Sequence, residues 1–299
     1  MSQSNADVGL LPTHVLKGHG CGNDFVIVPD PHGQFDLEDK QVAKMCDRRF
    51  GIGGDGVLRV VPTRLSDEVA DQAAQAEWFM DYRNADGSKA QMCGNGIRVF
   101  ARYLVEAGLA ESGRMAIATR GGVYHVVVPA QGDITVAMGM ASQAPGTSSA
   151  QVRVGDRSWP VHGVDCPNPH AVVFVDNLDD AGPLTQAPQV EPAQAFPEGV
   201  NVEFVVVHSE GHAAMRVHER GVGETLACGT GAVAVAWAAS RRHESALPRS
   251  WQVDQPGGRV QVNEAVDGSL ELHGPAVVVG SIELRSDWWH EQLATPAQG

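Results

Sequence analysis

Met92-Cys-Gly-Asn-Gly-Ile-Arg-Val-Phe-Ala-Arg-Tyr-Leu104 and Ala227-Cys-Gly-Thr-Gly-Ala-Val-Ala-Val-Ala-Trp237 decide how this 299-residue chain is read. In each, a cysteine is followed by Gly-x-Gly and then by an amphipathic or apolar helical run, so Cys93 and Cys228 are each predicted at a helix N-terminus. The unpaired N–H groups there, with a macrodipole equivalent to roughly half a positive charge, favour a thiolate and lower its pKa. The same groups bind a carboxylate, and glycine lets a ligand approach the backbone. One such motif reads about equally well as a cysteine packed into a core as a small hydrophobe. Two of them shift that balance, because their surroundings repeat. Cys21-Gly-Asn23-Asp lies in front of the first, with Asn23 70 residues before Cys93. Cys166-Pro-Asn168-Pro-His170 lies in front of the second, with Asn168 60 residues before Cys228. Two halves built alike are expected to face each other across one cleft, where a bound molecule is reached from both sides.

The rest of the chain is compatible with this. Its length suits two domains, and a hydrophobic fraction of 43% is ordinary for a globular protein. A formal net charge of -14 and a pI near 5.2 oppose nucleic acid and anionic membrane surfaces as partners. The first ten residues lack a secretory signal, and the longest apolar run, near AVAVAWAA, is too short for a bilayer, so a cytoplasmic location is expected. Five cysteines, with no CxxC and no HExxH, argue for free thiols and imply no metal. Short β-type runs (DFVIV, VYHVVVP, ITVAMGM, AVVFV, VEFVVV, AVVVGSIEL) alternate with helical periodicity in LEDKQVAKMCDRRF, GIRVFARYLVEAG and GAVAVAWAASRR, which predicts an α+β fold. PLTQAPQVEPAQAFPEG reads as a surface excursion with no catalytic role. Residues 1–12 and 287–299 read as mobile ends.

The strings HGCGNDFVIV, GIGGDG, NADGSKAQMCGNGIRVFARYL, PNPHAVVFV, NVEFV and ERGVGETLACGTGA follow one another in the order found in the diaminopimelate epimerases. The chain resembles that family over most of its length between His14 and Leu284. The resemblance implies two pseudo-symmetric domains, each a bent sheet or barrel around a central helix, with the site in the cleft between them. The expected division is 13–120 with 275–286 for the first domain and 121–274 for the second. It also implies interconversion of LL- and meso-diaminopimelate, on the route to lysine and peptidoglycan precursors. The expected partner is that small molecule, with a homodimer as an option.

An amino-acid α-hydrogen is very weakly acidic, and without an electron sink the carbanion must be stabilised by positive potential on the α-carboxylate. Two converging helix N-termini supply it. Inversion then needs a base on one face and an acid on the other, two roles that a thiolate and a thiol can exchange. By the family pattern these are Cys93 and Cys228. Asn23, Asn84, Asn168, Asn201, Glu219 and Arg220 match the family's substrate-binding positions. Arg220 suits the distal carboxylate, with Asn84, Asn168 and Asn201 completing its shell. Gly94, Asn95, Gly229 and Thr230 are expected to offer donors to the reacting carboxylate. Glu219 is expected to hold the ammonium and, with His170, to tune the thiols. Outside the resemblance, Asn23 reads as a turn residue, His170 as the start of a strand and Glu219-Arg220 as a solvated pair.

Some features depart from the family. Gly56 stands where a substrate-contacting Gln is common, and PTRLSDEVADQAAQAEW reads as a surface insertion. Cys21 and Cys166 occupy equivalent places in the two halves but lead into strands, so they lack a helix N-terminus; Cys46 reads as core. Pyridoxal phosphate would need a lysine in the site. Only Lys89 lies in a motif, where it reads as a surface charge, so no cofactor is expected. The alternatives are a proline or hydroxyproline racemase, which typically carries His after the first Cys-Gly where this chain has Asn95, and a thiol redox protein.

Overall fold

Valine, isoleucine and phenylalanine crowd Asn23–Pro29, Gly56–Pro62 and Asn201–Ser209, and such residues suit pleated surfaces buried on one or both faces. All three are strands. In the computed structural model, which describes residues 10–293, they belong to one continuous seventeen-stranded sheet.

The ladder runs through the same steps twice. Hairpin His14–Gly20/Asn23–Pro29 corresponds to His162–Asp165/Pro169–Phe174. The second strand of each then pairs in parallel, with Gly56–Pro62 in the first half and Asn201–Ser209 in the second. Antiparallel partners follow, Trp78–Asn84 and His212–Glu219. A parallel step leads on to Gly113–Thr119 and to Arg249–Gln255. Each half ends in a meander, through Gly122–Val128 to Ile134–Gly139 and through Gly258–Glu264 to Leu270–Gly274. Ile134–Gly139 pairs with Leu270–Gly274 and joins the halves.

Each set of strands wraps a helix. Helix α1 (Asp39–Cys46) lies outside, burying Val42 and Met45. Helix α2 (Gly94–Glu106) packs against the first set and against Val277–Glu283, which returns to pair with His14–Gly20. Helix α3 (Gly229–Arg242) packs against the second set. Ile97, Phe100 and Leu104 on α2, and the alanine and valine run of α3, have no solvent-facing side, as expected of helices enclosed by sheet.

Three of the expectations can be set beside the observed elements. The division at 120/121 passes through the hairpin Gly113–Thr119/Gly122–Val128, and both Gly122–Val128 and Ile134–Gly139 pack on α2. Of the ends read as mobile, 1–9 and 294–299 lie outside the described residues, but the segment after Arg285 forms helix α4 (Ser286–Leu293). Trp289 is 1% exposed among Val42 and Met45, its Nε1 donating to the Pro12 carbonyl at 3.0 Å, and Lys44 Nζ lies 4.5 Å from the Trp288 ring centre. The Trp-Trp pair supplies the apolar area that fixes this helix. The excursion 183–199 contributes the strand Gln189–Glu191 to a small second sheet, and its Glu198 carbonyl accepts from Arg220. The insertion forms short 3-10 turns, Thr63–Leu65 and Asp67–Gln72, with Val69 buried against Phe79 and Ala118.

Candidate active site

Cys93 and Cys228 cap α2 and α3 in nearly the same conformation, φ -139° and ψ 121° against φ -125° and ψ 117°. Cys93 Sγ accepts from Gly96 N at 3.4 Å, and Cys228 Sγ from Gly231 N at 3.3 Å. The two helix starts meet. A Cβ on Gly229 would stand 3.1 Å from Gly94 Cα, so the absence of side chains at both positions lets the backbones touch. Asn23 Oδ1 lies 3.5 Å from Cys93 Sγ, and Thr230 Oγ1 lies 3.5 Å from Cys228 Sγ. Asn23 is held from behind, its Nδ2 donating to Asp55 at 2.7 Å while Arg48 bridges Asp55 and Asp24.

The electrostatics reverse the expected sign at the thiols. Burial pushes Cys93 up to about 11, outweighing the N–H groups of α2 that favour its thiolate; Glu219 raises it further. Burial, Glu219 and Glu203 hold Cys228 well above the ordinary thiol range. A helix N-terminus offers only partial charges, and removal from water is the larger effect. Glu219 is itself raised to about 7, first by burial and then by Glu203 and Asp55, against the Thr225 hydroxyl that donates to it at 2.5 Å.

His170 is fully buried. Its Nδ1 lies 2.7 Å from Glu203 Oε1 and its Nε2 3.0 Å from Asn168 Oδ1, so both ring nitrogens are engaged. A Cβ on Gly231 would stand 2.8 Å from Glu203 Oε1, so glycine there lets this carboxylate approach the start of α3. Asn201 Oδ1 accepts the Arg220 backbone N–H at 2.9 Å. Arg220 is exposed, donates from Nη1 to the Glu198 carbonyl at 3.0 Å and passes over Gly199. Among the described residues it has no carboxylate partner, and the Glu198 carbonyl that holds it belongs to the excursion 183–199. Asn84 ends its strand opposite Gly56 and bonds Ser88 Oγ at 3.0 Å; no hydrogen bond ties it to the cysteines. At Gly56 a Cβ would stand 2.4 Å from the Arg83 carbonyl and 2.7 Å from the Tyr82 ring, so no larger residue fits. Lys89 pairs with Glu68 at 2.6 Å on the surface. Cys21 and Cys166 are buried and cap no helix, and Cys46 lies in the core with α1.

Glu203 and Gln255 were missed. Glu203 stood in view as the one acid in the apolar run of Asn201–Ser209, a position that demands a buried partner. Gln255, whose Oε1 accepts from Cys228 N at 2.7 Å, precedes a Pro-Gly-Gly turn and carries no local signal. Among the described residues no His, Cys, Asp or Glu group is arranged for a metal ion, and no helix is long and apolar enough to cross a membrane.

This two-half fold is shared with solved structures of a hydroxyproline epimerase and a probable proline racemase. A hydroxyproline epimerase structure from Agrobacterium vitis has this fold, with TM-score 0.67 and 16% identity over 92% of this chain and 92% of its own. The family model described as diaminopimelate epimerase matches residues 15–144 and 163–279. Over 284 residues the chain is 54% identical to the diaminopimelate epimerase of Streptomyces coelicolor, covering 93% of this chain and 98% of that one. Over 279 residues it is 48% identical to that of Thermobifida fusca, covering 90% and 97%. The chain belongs to the diaminopimelate epimerase family.

Proposed function

We propose that this chain interconverts LL- and meso-2,6-diaminopimelate without a cofactor, Cys93 and Cys228 serving in turn as acceptor and donor of the α-proton. The carrying observation is the meeting of two cysteine-capped helices, one from each half, at Gly94 and Gly229. A carboxylate at that seam receives the N-terminal donors of α2 and α3, including those of Gly94, Asn95, Gly229 and Thr230, which stabilise the charge that builds as the α-hydrogen leaves. Glu219 takes the ammonium. That pairing cancels a negative charge which opposes thiolate formation at both sulfurs, so the base is generated when substrate is bound. Arg220, with Asn84, Asn168 and Asn201, takes the distal carboxylate. His170 acts by fixing Asn168 and Glu203.

The domains of this reading are 13–139 with 275–286, and 140–274, each enclosing its own helix. The enzyme works in the cytoplasm on precursors of lysine and peptidoglycan. A second copy would dock on Val277–Glu283, where Val277 and Val279 are exposed.

Protein purified without pyridoxal phosphate and dialysed against a chelator is expected to convert LL- to meso-diaminopimelate, followed by chiral chromatography. Turnover of proline instead, or turnover only after a cofactor or metal is added, overturns this reading.

A further inference from the structure

Arg98, in the second turn of α2, is 0% exposed, and among the described residues no carboxylate pairs with it. A buried guanidinium without a counter-ion is unfavourable unless its donors are well used. Nη1 donates to the Gly94 carbonyl at 2.9 Å, Nη2 to Asn95 Oδ1 at 2.7 Å and Nε to the Pro275 carbonyl at 3.3 Å. Because arginine only donates, it fixes which way the Asn95 amide points. Asn95 Nδ2 is thereby turned toward the Ala227 carbonyl at 3.0 Å and Asn23 Oδ1 at 3.2 Å. Ala227 precedes Cys228 in the other half, and Asn23 Oδ1 is the atom beside Cys93 Sγ. One chain of hydrogen bonds thus runs from Arg98 to both cysteine loops. The ionisable groups that bear on the guanidinium are Cys21 from the first hairpin, Cys93 at the start of α2 and the exposed Asp133 before Ile134–Gly139.

We propose that Arg98 is a positioning residue for the proton transfers, holding the Cys93 and Cys228 loops in register through Asn95 and placing an uncompensated positive charge behind the start of α2. The role rests on the reading that these two thiols exchange the α-proton.

Arg98→Lys keeps the charge but cannot span the Gly94 carbonyl and Asn95 Oδ1 together. Arg98→Met removes both functions. The assays are kcat and KM, with circular dichroism as a folding check, and the pH dependence of Cys93 alkylation by iodoacetamide, followed by peptide mass spectrometry. Misalignment in Arg98→Lys is expected to lower kcat by about 10² with KM within about threefold, while the alkylation curve stays in place. Arg98→Met is expected to lower kcat by about 10³ and move the alkylation curve up by about one pH unit. Wild-type kcat in a folded variant, or a loss confined to KM, overturns the proposal. If Arg98→Met does not fold, Arg98→Lys alone decides by the same criterion. Cys93→Ala separates the two levels: full activity there sinks the two-thiol reading itself, whereas a dead Cys93→Ala beside an unimpaired Arg98→Lys sinks only the role of Arg98.

Discussion

At Glu219, burial and two neighbouring carboxylates set a proton affinity near neutrality, about 7. A protonated Glu219 cannot pair with the substrate ammonium, and kcat/KM reports the groups of the free enzyme. An acid limb is therefore expected near pH 7, with kcat/KM rising as pH rises through it. Thr225→Val, which removes a hydrogen bond favouring the ionised form, should move that limb to higher pH. A profile flat from pH 6 to 8 in the wild type would remove Glu219 from this role. Linkage runs the other way for the free protein, because the folded state holds this proton more tightly than the unfolded chain. Its contribution to stability is complete below the usual carboxylate range and is lost as pH rises through about 7. The cysteines were legible because Gly-x-Gly followed by an apolar run fixes a helix start. Their proton affinities were not, since the motif shows the helix N–H groups and says nothing about how deeply the fold buries the sulfur. Glu203 illustrates the same limit, its partner His170 lying 33 residues away and meeting it only through parallel pairing of their strands.

Among the elements, the starts of α2 and α3 carry the geometry. Gly229→Ala would set a methyl 3.1 Å from both Gly94 Cα and Leu272 Cδ2, too close unless the helix starts part by a few tenths of an ångström. Such a shift would spread the two thiols and the proposed carboxylate seat, and misplacement of this kind can cost up to about 10²-fold in rate. Gly229→Ala is expected to lose kcat on that scale while keeping its helix content by circular dichroism; an unimpaired kcat would show that the seam tolerates widening. The apolar strands and helices α1 to α3 could be read from periodicity, because sheet alternation and helical spacing are local properties. Helix α4 could not, as its order depends on Trp289 reaching a groove built by α1 and the first strands. The link between the excursion and Arg220 was hidden for the same reason: the Glu198 carbonyl acts through a contact across 22 residues.

For the whole molecule, the repeat of Asn-bearing loop and cysteine-capped helix implied two facing halves, and the ladder bears out that architecture step by step. No change of composition marks where Ile134–Gly139 hands over to the second set of strands, which it joins by pairing with Leu270–Gly274. In the proposed mechanism facing halves matter because one sulfur on each side of a carbon makes removal and return of the proton separate events. In D2O, LL-diaminopimelate sampled by mass spectrometry at low conversion should yield meso product with one deuterium at the inverted carbon, while recovered substrate stays unlabelled. Meso product that retains the substrate's own hydrogen, or label in recovered substrate ahead of product, would contradict two thiols acting from opposite faces.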